Sequence, residues 1–228
     1  MPLTQLDPHA ALIVIDLQKG VVGLPTVHPA NEIVARAAQL ASAFRERNLP
    51  VVLVNVSGRA PGRTDAGLSK FSRPQDWTEL VPDLGRRPSD HLVTKQRAGA
   101  FIGTDLHDYL SRRKVTQVFM TGIATSAGVE ATARSAYDHG YNVALIVDAM
   151  TDRDVEAHRH SVEKIFPRIG ELDVTDSVEA VALVKQQRCR LCIDTSFGKE
   201  LLIPTKLTML KYNRRPASSH TSLDLLPS

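Results

Sequence analysis

Three stretches of this chain place groups able to do chemistry where an apolar run stops. Residues 11–15 read Ala-Leu-Ile-Val-Ile and are followed by Asp16, Leu17 and Gln18. A carboxylate directly after such a run is costly to desolvate unless something pairs with it. Asp16 is therefore either a solvated loop residue or a carboxyl kept for acid–base work. A second run ends in Thr94 and Lys95, an ammonium in the corresponding place, which by itself also reads as a surface lysine. A third closes at Met120-Thr121 and opens into Gly122-Ile123-Ala124-Thr125-Ser126-Ala127-Gly128-Val129. Backbone N–H groups at a helix start of this kind can bind an anion or a developing oxyanion. The same small residues also let a strand and a helix pack closely.

These groups need elements to position them. Short apolar runs at 11–15, 51–56, 91–94, 117–121 and 142–147 predict strands buried on both faces, as in a parallel sheet. Helical spacing lies between them. From 31 to 47 it puts Ile33, Val34, Ala37, Leu40, Ala41 and Phe44 on one face, and 105–113, 129–139 and 154–166 read as further helices. Gly140 stands where a helix C-cap precedes a strand. The alternation implies βαβ units in a doubly wound sheet, with ligands at the carboxyl ends of the strands. The long irregular stretch 57–90, rich in Gly and Pro, is expected to be a lid or site wall. No internal repeat is seen.

The length, 228 residues, suits one domain of 1–186 followed by an atypical C-terminal extension of 187–228. That extension is expected to lie outside the core, either disordered or with short packed elements at 201–203 and 207–210. The net charge of +3 does not indicate a nucleic-acid partner. Seven Lys/Arg against three acids follow from Arg188 onward, so the body of the chain carries −1 and only the tail is basic. No run approaches a membrane span and no signal peptide is evident at the N-terminus. The two cysteines, Cys189 and Cys192, form one C-x-x-C in the tail and read as incidental thiols in a reducing, cytoplasmic setting.

Taken together, Ile15-Asp16-Leu17-Gln18, Lys95 and Gly122-Ile123-Ala124-Thr125, with Glu130-Ala131-Thr132-Ala133-Arg134 on the following helix, resemble the isochorismatase-like hydrolases, or cysteine hydrolases. Residues 100–106 and 147–152 match that family in kind and order, and the resemblance covers roughly 8–186. It implies a Rossmann-like α/β/α fold with a six-stranded parallel sheet of order 3-2-1-4-5-6, and a homo-oligomer. It implies a catalytic set of Asp16, Lys95 and the position of Gly128, where amidases of the family carry cysteine. It also implies a cis peptide at Ile123–Ala124, which turns the N–H groups of Ala124 and Gly128 toward a substrate oxygen.

Glycine cannot attack an amide carbonyl. The resemblance extends to true isochorismatases, which also carry glycine there and hydrolyse a vinyl ether through a protonated Asp. Asp16 suits that role if its apolar setting raises its pKa. A nearby ammonium opposes such a rise, so Lys95 is expected to bind the substrate's carboxylate instead. Two alternatives stay open: an amidase using activated water, and a non-catalytic small-molecule-binding relative. The expected substrate contacts are Gln18, Arg97, Phe101, Ile123 and Ala124, with Arg59, Arg63 and Trp77 as further candidates. Phe101 is equally a core residue by its type. His158 and His160 lie two apart on a helix, face different ways and are not expected to bind metal. No cofactor is expected.

Overall fold

The computed structural model describes residues 6–65, 74–171 and 176–193. Five strands form one parallel sheet in the order β3-β2-β1-β4-β5: β1 Ala10–Ile15, β2 Val51–Val56, β3 His91–Lys95, β4 Gln117–Ile123 and β5 Asn142–Thr151. All six residues of the central β1 are buried, which is why its sequence is an unbroken apolar run. Beside β5, Glu171 makes a parallel bridge to Ala144 where the sixth strand of the expected order belongs. Residues 172–175, which continue from it, lie outside those described.

Among the described residues six α-helices complete the layers: α1 Lys19–Val22, α2 Ala30–Glu46, α3 Leu106–Arg112, α4 Glu130–Asp138, α5 Val155–His160 and α6 Ser177–Ile193. Leu12 and Val14 of β1 face a core built with Leu40 and Phe44 of α2 and Ala180 and Val184 of α6. Ala11, Ile13 and Ile15 face the opposite core, shared with Leu106 and Leu110 of α3 and Ala133 and Ala136 of α4. The period-2 alternation of a strand thus divides one apolar run between two helical layers.

Three elements depart from the sequence reading, each for a local reason. β5 runs past Val147 to Thr151, because the register against β4 slips between Met120 and Gly122. Asp148, within that irregularity, instead accepts the backbone N–H and hydroxyl of Ser177 at the start of α6. The helix expected over 154–166 loosens after α5 into a π turn, Ser161–Ile165, and a 3-10 turn, Phe166–Arg168, that holds Pro167. The helix expected from Val129 is preceded by a π turn, Thr125–Val129. The break expected near Gln186 falls within α6, and residues from 194 onward lie outside the described ones. So do the side chains of Cys189 and Cys192.

Candidate active site

Asp16 leaves β1 in the left-handed region (φ 52), which turns the chain off the strand at the carboxyl edge of the sheet. Asp tolerates this conformation better than most residues. Lys95 ends β3, two strands away, a separation of roughly 10 Å by strand spacing. Its stem spans that distance, and its Nζ lies 2.8 Å from Asp16 Oδ2. Both side chains are buried. Burial pushes the Asp16 carboxyl up to about 6, against the opposing pull of the Lys95 ammonium. Its second oxygen, Oδ1, is buried and has no hydrogen-bond partner among the described residues.

Lys95 donates not only to Asp16 but also to the carbonyls of Ala98 (2.8 Å) and Arg97 (3.3 Å). An ammonium has three donors, so all of them are engaged within the protein. In this arrangement the ammonium faces Asp16 and its own loop, where the sequence led to the expectation of a substrate carboxylate.

The turn after β4 closes the site. A Cβ at Gly122 would stand 2.0 Å from the Ile15 carbonyl oxygen, and its φ is 125, so only glycine lets β4 press this closely on the end of β1. The peptide Ile123–Ala124 is cis, as the resemblance implies. Gly128 follows one turn later, and a Cβ there would lie 3.1 Å from Asp16 Oδ2 and 3.4 Å from Lys95 Nζ. Position 128 therefore faces the charged pair directly. Thr132, one turn along α4, donates to the Gly128 carbonyl (2.6 Å) and accepts from the Ala100 N–H (3.1 Å). The loop whose carbonyls hold Lys95 is thereby fastened to the turn that carries Gly128.

The arrangement agrees with what the comparisons find. An isochorismatase domain model matches residues 10–177. The chain belongs to the isochorismatase family. An uncharacterized isochorismatase family protein, YwoC, from Bacillus subtilis is 39% identical over 173 residues, 73% of this chain and 90% of that protein. A probable isochorismatase from Pseudomonas chlororaphis is 27% identical over 76% of this chain and 86% of its own length. A maleamate amidohydrolase from Pseudomonas putida is 27% identical over 71% and 81%. Among solved structures, an isochorismatase family protein from Burkholderia thailandensis superposes with a TM-score of 0.75 at 39% identity, covering 79% of this chain and 98% of that one.

Within this isochorismatase-family fold, Asp16, Lys95, Gly128 and the Ile123–Ala124 peptide come together, and the other expected contacts do not join them in the same way. Gln18 is fully buried, and its amide is bonded to backbone: Nε2 donates to the carbonyls of Val56 and Trp77, and Oε1 accepts from the Val56 N–H. It fastens the end of β1 to the end of β2 and to the long loop. Phe101 is placed at the far end of α4, buried against His139 and Tyr141 (ring centroids 5.1 and 6.0 Å), so its packing is that of the core. Arg97 is half-buried and donates to the Gln96 carbonyl, while Arg59 and Arg63 are exposed on the loop after β2. Trp77 packs its Cβ and ring against Gly20 in α1.

The sequence reading did not single out the groups that brace the turn. Asp152, just past β5, accepts both the N–H and the hydroxyl of Ser126 (2.7 Å each). His158 Nδ1 shares a hydrogen bond with the buried Thr125 hydroxyl (2.9 Å). Thr125 and Asp152 lie in the matched motifs, so their presence could be read; their pairing depends on how the turn meets β5 and α5. His158 is half-buried and His160 exposed, in keeping with their two-residue offset. Among the described residues no three His, Cys, Asp or Glu side chains gather as metal ligands, and no helix is long and apolar enough to cross a membrane.

Proposed function

We propose that this chain hydrolyses a small carboxylated vinyl ether, isochorismate or a close analogue, without a covalent intermediate and with Asp16 as the general acid. The observation that carries the reading is the state of that carboxyl: buried, raised to about 6, with Oδ2 on Lys95 and facing Gly128, and Oδ1 unpaired among the described residues. A proton on Oδ1 is the transferable one, because Oδ2 already accepts from the ammonium. Transfer to the terminal enol-ether carbon leaves an oxocarbenium ion. Water adds to it, Asp16 takes up the proton that water gives, and the hemiketal breaks into a ketone and an alcohol. Gly128 supplies no nucleophile, and this sequence needs none. In the same reading Lys95 keeps the pair oriented, and the N–H groups of Ala124 and Gly128 meet a substrate oxygen. With Lys95 committed to its own loop, the substrate's carboxylate falls to arginines at the rim, Arg97 first among them.

The test is hydrolysis of isochorismate by purified protein, beside a panel of amides including nicotinamide and maleamate. Turnover of isochorismate alone, reduced about 10²- to 10⁴-fold in Asp16→Asn, supports the reading. Full activity in that variant sinks it. Turnover of amides instead favours an activated-water amidase; a 27% identical relative is named a maleamate amidohydrolase. Binding without any turnover identifies a non-catalytic relative.

A further inference from the structure

The turn that carries Gly128 is held from outside the Asp16–Lys95 pair by a chain of hydrogen bonds. Thr125, immediately after the cis peptide, is fully buried and its hydroxyl meets His158 Nδ1 at 2.9 Å. The His158 ring stands edge-on to His28, with centroids 5.0 Å apart at 67°. His28 in turn binds the Thr151 hydroxyl through its backbone N–H (3.0 Å) and Nδ1 (3.2 Å). The last residue of β5 and the first of the π turn are thus joined through two imidazoles.

We propose that His158 is a positioning residue, which as the neutral imidazole fixes turn 124–128, and with it the N–H groups of Ala124 and Gly128, through the hydroxyl of Thr125. The inference rests on the reading above, in which those N–H groups meet the substrate. A neutral ring with its proton on Nε2 accepts from the Thr125 hydroxyl, whereas an imidazolium can only donate at Nδ1. Protonation therefore forces the hydroxyl to reverse and the turn to readjust. Burial and the neighbouring His28 pull the His158 pKa down, and Asp152 pulls it up less strongly. The other charged groups facing the same cavity are Glu32 and Arg36 of α2, Asp148 of β5 and Asp176 before α6. Arg36 sits between Glu32 and Asp148, and Asp148 is bonded to Ser177, so these charges largely satisfy one another.

The experiment pairs kinetics with amide NMR on the full chain and on His158→Asn, His158→Leu and Thr125→Val. In the wild type the amides of 124–128 are expected to shift with an imidazole titration below the usual histidine value. That titration should vanish from them in both His158 variants. His158→Leu should lower kcat about 10- to 100-fold with little change in KM and remove the acid limb of the pH profile. His158→Asn, whose amide can still reach Thr125, should recover part of kcat without the limb. Adding Thr125→Val to His158→Leu should cost nothing more. Amides of the turn that ignore the His158 titration, or wild-type kcat with an intact acid limb in His158→Leu, overturn the proposal. Should no substrate be turned over, the amide titration still decides it, and the missing turnover counts only against the vinyl-ether reading.

Discussion

At Asp16 two influences of opposite sign act on one carboxyl, and the larger decides its chemistry. Desolvation raises its pKa, Lys95 lowers it, and the result stays near 6. Because the acid form of Asp16 is the active one in the proposed reaction, Asp16 sets the basic limb of the profile while the acid limb belongs to His158, so the rate should show both. It should fall as pH rises through about 6, approaching a tenfold loss per unit. Removing the ammonium while keeping the stem, in Lys95→Met, takes away the opposing pull, so the basic limb should move upward even as kcat drops. A pH–rate profile of that variant checks the point; a limb that stays in place would mean that another group carries the proton. The residue types Asp and Lys were legible at the strand ends. Their contact was not, since it depends on Lys95 reaching over β2.

The elements are what make that contact possible, and most of them could be read in advance. Continuous apolar runs marked β1, β2 and β4 because these strands are buried on both faces, unlike the edge strand β3, and the spacing in α2 marked a helix with one buried side. The bulged continuation of β5 and the π turns carry no such periodicity, because they arise from how β4, α4 and α6 meet their neighbours. Gln18 shows the same gap at the level of a connection. A glutamine after a strand looks solvated in sequence, yet here it makes three backbone hydrogen bonds that join β1, β2 and the loop before β3. Gln18→Leu takes this partner from the Val56 N–H and carbonyl, at a cost of about 2–4 kcal/mol. A lower urea midpoint with an unchanged slope is expected; an unchanged midpoint would show that water replaces the amide.

For the molecule as a whole, the Burkholderia relative is covered over 98% of its own length by 79% of this chain, so about a fifth of this chain lies outside the fold the two share. α6 is different. Ala180 and Val184 are buried against α2, and Arg47 donates to the Val184 carbonyl. A chain ended after residue 193 is therefore expected to keep its Tm within about 2 °C and its activity within about twofold. A chain ended at 176, which loses α6, should melt lower by roughly 5 °C or more. Scanning calorimetry of the two truncations distinguishes them. A large loss in the first would place part of the 194–228 segment in the folded body. The expected homo-oligomer is checked on the same samples by light scattering.

The glycine at 128 also decides which poisons this centre can feel. Haloacetamides and similar electrophiles disable an enzyme by alkylating a nucleophilic thiol, and beside Asp16 and Lys95 this position offers none. A diazo ester, which esterifies a carboxyl only in its protonated form, meets a buried acid with one free oxygen. Inactivation by the diazo reagent should quicken as pH falls through about 6 and end with an ester on Asp16. A haloacetamide should leave turnover unchanged, so resistance to thiol reagents becomes a handle for telling this chain from thiol-dependent hydrolases in a mixed extract.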